Sequence, residues 1–242
     1  MSFVQIVRHL IWFELKHSIW YLLLLFGSAI GLLLLTIYDF HIKTSENLIS
    51  DLSIFPLSFF LIVLILVIRP KVFRTQNLGY NFRVCEHLVH LQQLPLKKST
   101  IVTYRLIVNY VILTPLLIIY LTTLYIVIEP LKQLLPLNHF IVFAIIWLMI
   151  AVIILNIQVI TDFGTNILYS YIYLFFIFLP IIIAIIAIFN IVIKKSLFEL
   201  MVFFSTHFPI QSFIISFLVI ILSIVISYRW CLIRMSKIDY LL

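Results

Sequence analysis

The sequence has 242 residues, of which 64% are apolar and 10% charged, and its mean hydropathy is +1.25. A soluble domain carries about 25% charged residues, so this composition excludes a soluble protein and indicates an all-α integral membrane protein. The net charge of +7 does not indicate a nucleic-acid partner, because the basic residues lie at the ends of apolar runs rather than in one patch with interleaved aromatic residues.

Residues 1–18 precede the first long apolar run and mix apolar with charged side chains. Apolar residues recur at three- and four-residue spacing, as at Phe3, Val7 and Leu10, which predicts an amphipathic helix lying in the membrane interface. We expect this segment to be retained rather than cleaved as a signal peptide, because the run that follows is too long for an h-region and has no small-residue cleavage site.

Six runs are long and apolar enough to predict transmembrane helices. They are residues 19–38, 52–68, 101–128, 140–160, 167–193 and 210–228. The first contains Gly27 and Gly31, a GxxxG spacing that permits close helix packing. Residues 197–208 are too few to span before Pro209 and predict a helix at the membrane surface. The sequence therefore predicts a single membrane domain over residues 1–242.

The distribution of lysine and arginine orients these predicted spans. Twelve lie on one side: Arg8, Lys16, Arg69, Lys71, Arg74, Arg83, Lys97, Lys98, Arg105, Arg229, Arg234 and Lys237. The other side holds four, Lys43, Lys132, Lys194 and Lys195. Because such residues concentrate in cytoplasmic loops, we expect both termini and residues 69–105 to be cytoplasmic in a multi-pass cell-membrane protein. Cys85 and Cys231 would then face a reducing compartment, and no disulfide is expected.

The polar interruption at residues 69–105 contains a short periodic stretch. Apolar side chains recur every three or four residues at Val84, Cys85, Leu88, Leu91 and Leu94. This spacing predicts an amphipathic helix over residues 84–94, which Pro95 is expected to end because the residue before a proline disfavours helical geometry. Periodicity alone leaves two interpretations open, a lever that transmits motion and an interfacial helix that anchors a loop.

The motifs of nucleotide hydrolysis and of common enzymes are absent from the sequence. With four glycines, the chain contains no GxxxxGK[ST] or GxGxxG phosphate-binding loop, and it also lacks HExxH and GxSxG. We therefore expect no enzymatic activity and no cofactor in this chain. His87 and His90 share a predicted helix face, but a metal site needs three or four converging ligands, so we expect a solvated or partner-facing surface there.

The polar residues within the predicted spans are mostly uncharged. Arg105 lies near the beginning of the third run, and Asp162, at the inner end of the fourth, is expected to cap a turn. Transporters that use a coupling ion usually carry acidic residues or broken helices inside the membrane. An ion-coupled transporter is therefore disfavoured.

The nine residues Leu94-Pro95-Leu96-Lys97-Lys98-Ser99-Thr100-Ile101-Val102, together with the six-span layout and the interfacial helix, resemble the ABC-2-type transporter permeases. In that family such a stretch enters the third span just after a cytoplasmic coupling helix. The layout is similar to that of permeases of Gram-positive peptide exporters, including the phenol-soluble modulin exporter.

The resemblance implies a permease that pairs with a second permease subunit, as a homo- or heterodimer, and binds two separate ABC ATPase subunits. ATP and magnesium would be held by those ATPase subunits. Residues 84–94 would be the coupling helix, with the ATPase contact carried by Arg83, Glu86, His87, Leu88, Leu91 and Leu94.

We therefore expect the transmembrane subunit of an ATP-driven exporter of amphipathic peptides or hydrophobic small molecules. The short outer loops leave no large extracellular domain for passing on cargo, which favours substrates that enter from the bilayer. An alternative is a non-transport membrane protein, such as a bacteriocin-immunity protein or a sensor partner, that docks through the same amphipathic segment. A membrane enzyme would need clustered intramembrane histidine or acidic residues, which the sequence does not show.

Overall fold

The computed structural model describes residues 3–42, 75–77, 82–163, 165–166 and 197–237. These residues form eight helices and three short strands. The helices are α1 (Phe3–His17), α2 (Ile19–Ile42), α3 (Glu86–Gln93), α4 (Lys98–Val127), α5 (Glu129–Leu134), α6 (Leu137–Asp162), α7 (Leu197–His207) and α8 (Pro209–Lys237); the strands are β1 (Thr75–Asn77), β2 (Phe82–Cys85) and β3 (Thr165–Asn166). The predicted spans 52–68 and 167–193 lie outside these ranges, so the total of six spans stays a prediction.

Three helices, α4, α6 and α8, are long and apolar enough to cross a membrane, and the bent pair of α1 and α2 would make a fourth span. The chain is therefore a membrane-embedded protein. At about 1.5 Å per residue, the 30 residues of α4 cover about 45 Å, whereas the hydrocarbon core is about 30 Å thick. Helix α4 therefore exceeds the hydrocarbon thickness; it begins three residues before the predicted 101–128 and ends one residue before its predicted end.

Helices α6 and α8 are also longer than predicted. Helix α6 includes both Leu137 and Asp162, outside the predicted 140–160. Helix α8 continues nine residues beyond the predicted end at Tyr228 and includes Arg229 and Arg234. The basic residues that mark the membrane edge in the sequence do not end the helix, because arginine is a good helix former and neither proline nor glycine follows within α8.

Helix α1 is bent away from α2 by 69°, so it lies near the membrane plane when α2 runs along the membrane normal. The bend is compatible with the predicted interfacial helix, whose position in the membrane stays a prediction. The side chain of Val7 is buried against the bundle, whereas Trp12 and Phe13 are exposed. Aromatic side chains of this kind suit the headgroup region.

The predicted GxxxG packing of α2 is not made within the part of the chain that the structure describes. A Cβ atom added at Gly27 or Gly31 would meet nothing within 4 Å. Helix α2 instead packs against α4 through Leu25, Ala29 and Leu32, which are buried on the opposite face.

The three strands form a small antiparallel sheet in the order β1-β2-β3, which the sequence analysis did not predict. Strand β2 pairs with β3 through Phe82 and Asn166, so the segment after α6 is joined to the segment before α3. The prediction of a helix over residues 84–94 was wrong at its start, because Val84 and Cys85 belong to β2. The predicted end is confirmed, since Leu94 is extended with φ −80° and ψ 153°, as expected before a proline.

The core is divided into two apolar clusters along α4. The first, around Leu117, Tyr120 and Trp147, joins α4 and α6 with α2. The second lies around the beginning of α4 and contains side chains from α1, α3 and α8. Between them, the Tyr110 hydroxyl donates a hydrogen bond to Asn156, whose Nδ2 donates to Ser223 Oγ at 2.8 Å, so α4, α6 and α8 are also joined by polar contacts.

Candidate functional site

Helices α1 and α3, the beginning of α4, and the ends of α6 and α8 converge at one end of the bundle. Each contributes to one apolar cluster, represented by Val7, Leu88, Val102, Phe163 and Met235, all less than 7% exposed. Five polar side chains lie beside or within this cluster and are called the polar junction below: Glu14, His87, Tyr104, Arg105 and Asp162. Apolar surroundings make every unsatisfied charge there costly.

Arg105 and Asp162 form a buried ion pair inside the polar junction. The Nε and Nη2 atoms of Arg105 both donate to Asp162 Oδ2, at 2.9 and 2.6 Å, and the side chains are 2% and 0% exposed. The pairing of Asp162 with Arg105 was not predicted, and its predicted role in capping a turn stays a prediction. Arg105 does not only mark the cytoplasmic end of a predicted span. Its guanidinium is buried among apolar side chains and needs the acid as its counter-charge.

The polar junction lies near the ends of two candidate membrane-spanning helices. Arg105 follows the start of α4 by seven residues, or about 10 Å along the axis, and Asp162 is the last residue of α6. The two charged side chains are therefore close to helix ends rather than to helix centres.

A second polar chain joins three helices. The Tyr104 hydroxyl donates a short hydrogen bond to Glu14 Oε2, which links α4 to α1. His87 Nε2 lies 3.5 Å from the same hydroxyl, and the two rings meet edge to face with centroids 6.3 Å apart. Tyr104 therefore lies between the carboxyl group of α1 and the imidazole of α3.

The surroundings shift the proton affinities of both end groups. Burial raises the pKa of Glu14 to about 7, against the opposing effects of the Arg105 charge and the Tyr104 hydrogen bond. Burial also lowers the pKa of His87, as do the positive charges of Arg105 and His90. Both shifts favour the neutral form, the carboxylic acid at Glu14 and the imidazole at His87.

Two basic side chains fasten the end of α8 to its neighbours. Lys98 Nζ, at the start of α4, donates to the carbonyl oxygen of Met235 at 3.1 Å. Arg234 Nη1 donates to the carbonyl oxygen of Ile160 at 3.3 Å. Cations near a helix C-terminus interact favourably with its last carbonyl groups, so α4, α6 and α8 are held together beside the polar junction.

The predicted ATPase-contact residues differ in burial and in the element to which they belong. Leu88 and Leu91 are 0% and 4% exposed and pack in the apolar cluster, so they support α3 rather than face a partner in this conformation. Leu94 is 51% exposed and remains available. Arg83 lies in β2, not in the helix, and Glu86 is the first residue of α3.

The two histidines of α3 do not share one environment as predicted. His87 is half-buried against Tyr104, whereas His90 is exposed. Within the residues that the structure describes, no group of three or more histidine, cysteine, aspartate or glutamate side chains is arranged to hold a metal ion. The outward face of α3 therefore offers His90, Gln93 and Leu94 to solvent or to a partner.

Cys85 and Cys231 are reduced thiols, both 0% exposed, and burial raises the pKa of Cys85 to about 11. Because the thiolate is the reactive form, we expect a water-soluble maleimide to label neither cysteine in the native protein in detergent. Denaturation should expose both. A Leu94→Cys variant is the matched control, since this exposed position should label within minutes. Native wild-type labelling as fast as that of the variant would contradict this burial.

Sequence reasoning did not identify Glu14, Tyr104, Arg105 and Asp162 as one site. Two signals for it are present in the sequence. Glu14 lies seven residues after Val7, on the apolar face of α1, and Arg105 interrupts an otherwise apolar run. Ionisable residues in such positions are functional candidates by default.

Comparison of the chain with protein-family models, with curated proteins and with solved structures found no match. The similarity to ABC-2-type permeases rests on the sequence layout and on residues 94–102.

Proposed function

We propose that the chain is the transmembrane permease subunit of an ATP-driven ABC exporter and that it moves amphipathic peptides or hydrophobic small molecules out of the cell. The observation that carries this proposal is the placement of α3. This eight-residue helix is fastened to the beginning of a candidate transmembrane helix through Leu88 and Leu91, while Leu94 remains exposed. A push on the outer face of α3 would therefore be transmitted to α4.

The polar junction supports transmission beyond α4. Tyr104 contacts both α1 and α3, and the adjacent Arg105 is paired with α6. Buried charge pairs have narrow geometric tolerance, because displacing one partner exposes the other to an apolar environment. A displacement of α3 would thus move α1, α4 and α6 together instead of being absorbed by one loop.

In this proposal α3 is the coupling helix. It lies on the cytoplasmic side of the membrane, as do both termini of the chain. Two ABC ATPase subunits supply the nucleotide site with ATP and magnesium, and a second permease subunit completes the pathway. The large exposed apolar surface of α8 is compatible with lipid and with such a subunit. It includes Ile210, Phe213, Phe217, Leu222 and Ile226.

The test is purification of the tagged chain from its native membrane, with detection of a co-purifying ATP-binding subunit. Leu94→Glu is expected to reduce recovery of that subunit at least about tenfold, equivalent to about 1.4 kcal/mol of binding free energy, because it places a charge at the exposed apolar end of α3. Gln133→Glu, an exposed position on α5 at the other end of α4, is the matched control and should leave recovery unchanged.

Failure of the wild-type chain to recover any nucleotide-binding subunit would overturn the exporter proposal. If deletion of the gene then altered peptide resistance or signalling while efflux from loaded vesicles stayed the same, the non-transport alternative would take its place. Equal recovery with Leu94→Glu and wild type would instead reject α3 as the contact.

A further inference from the structure

The polar junction contains more acidic side chains than arginine side chains. Among the described residues, Glu14 and Asp162 are two buried acids beside the guanidinium of Arg105, and two hydrogen bonds from Arg105 go to Asp162. Glu14, 1% exposed, receives one hydrogen bond from a neutral phenol. Its Oε1 atom has no hydrogen-bond partner among the residues that the structure describes. An ionised carboxylate would be poorly satisfied there, whereas a neutral carboxylic acid would avoid burying a second negative charge.

Two further buried polar atoms near this end of the bundle lack hydrogen-bond partners among the described residues, Ser18 Oγ and Asn109 Nδ2. Ser18 follows Glu14 by one helical turn, and Asn109 follows Arg105 by one turn, so each lies on the same face as a member of the polar junction. This end of the bundle therefore contains several buried polar atoms that the described residues do not satisfy, as at Glu14 Oε1.

A path for protons leads from the surface to Glu14. His87 is half-buried on α3, its Nε2 atom is 3.5 Å from the Tyr104 hydroxyl, and that hydroxyl donates to Glu14 Oε2. Histidine exchanges protons with water near neutral pH. We infer that Glu14 is a proton-binding site, loaded from solvent through His87 and Tyr104.

The transfer is balanced atom by atom. His87 takes a proton from hydronium and becomes imidazolium. Its Nε2–H bond then breaks as the proton passes to the Tyr104 oxygen, while the original phenolic O–H bond breaks and that proton forms a new O–H bond on Glu14 Oε2. Imidazole and phenol are both regenerated, and the carboxylate has become a carboxylic acid.

The charged and titratable groups that act on Glu14 are Tyr104 and Arg105 of α4 and Asp162 of α6. Cys85 of β2 acts on Tyr104, and His90 of α3 acts on His87. Burial, reinforced by Asp162, raises the pKa of Glu14 from 4.5 to about 7. The native state therefore binds more protons than the unfolded state between these pH values, and its stability falls as pH rises through this interval.

The site is tested with the full chain in nanodiscs by infrared difference spectroscopy between pH 5 and pH 9, without any ATPase subunit, so the result is independent of the exporter proposal. A buried carboxylic acid gives a C=O stretching band that is expected to fade with a midpoint near pH 7. The band should be absent from Glu14→Gln. It should persist in Glu129→Gln, which removes an exposed acid at the other end of the bundle. No titrating band in the wild type, or the same band in Glu14→Gln, would overturn the proton site.

Two variants test the route. Tyr104→Phe removes the hydrogen bond that favours the ionised form, so the midpoint should rise by about one pH unit, a tenfold gain in proton affinity. His87→Leu should slow protonation after a pH jump at least about tenfold, because it removes the group that exchanges protons with water. An unchanged rate would reject His87 as the entrance, and an unchanged midpoint in Tyr104→Phe would reject the contact with Glu14.

Discussion

Asp162→Asn is expected to lower the free energy of unfolding by about 3 to 5 kcal/mol, because it leaves the guanidinium of Arg105 buried without a counter-charge. Both side chains are almost completely excluded from solvent, and the acid accepts two hydrogen bonds through one oxygen atom. Asparagine keeps the size of the side chain but not its charge. Titration of the micellar protein with a denaturing detergent measures the change.

Two controls separate this effect from a general sensitivity to mutation. Glu129→Gln removes an exposed acid and should change the free energy of unfolding by less than about 0.5 kcal/mol. The double variant Arg105→Met with Asp162→Leu should recover most of the lost stability, since neither member of the ion pair is then left buried without its partner. If Asp162→Asn alone were as stable as Glu129→Gln, the ion pair would not be neutralising a buried charge.

Leu91→Glu is expected to cost more than about 4 kcal/mol of stability, because it removes a buried aliphatic side chain and places a charge among apolar groups. Leu94→Glu, three residues later, should stay within about 0.5 kcal/mol of wild type. The two leucines are 4% and 51% exposed. Thermal unfolding followed by size-exclusion chromatography in detergent compares them directly.

These two glutamate variants distinguish a leucine that packs inside the protein from a leucine that contacts a partner subunit. Leu91→Glu should yield little monodisperse protein, whereas Leu94→Glu should yield normal amounts that fail to recover a partner subunit. Leu91→Ala is the milder variant, with an expected loss of about 2 to 5 kcal/mol. Similar stability of the two glutamate variants would mean that α3 does not pack inward as described.

Together these side chains give α3 two roles on two faces. Leu88 and Leu91 anchor it to the bundle, and His87 reaches the polar junction through Tyr104. His90 within α3 and Leu94 directly after it are exposed. The two interpretations left open by periodicity, a lever and an anchor, are therefore not exclusive, because a lever must itself be anchored to the helix that it moves.

Local properties of the chain were predictable from sequence. Apolar content and run length identified a membrane protein and located α4, α6 and α8, and Pro95 correctly ended α3. The start of α3 was missed because the alternation of Val84 and Cys85 with their neighbours fits a strand as well as a helix. Sheet pairing with Thr75–Asn77 and Thr165–Asn166 decided between the two.

What the sequence by itself determined is the class of protein and the positions of its long apolar helices, because hydrophobic run length and helical period are properties of neighbouring residues. The tertiary structure alone decided which polar residues meet. Tyr104 and Glu14 are 90 residues apart in sequence, and Arg105 and Asp162 are 57 apart. No local pattern relates such positions, and the burial that turns them into an ion pair and a proton-binding site arises only when five helices converge.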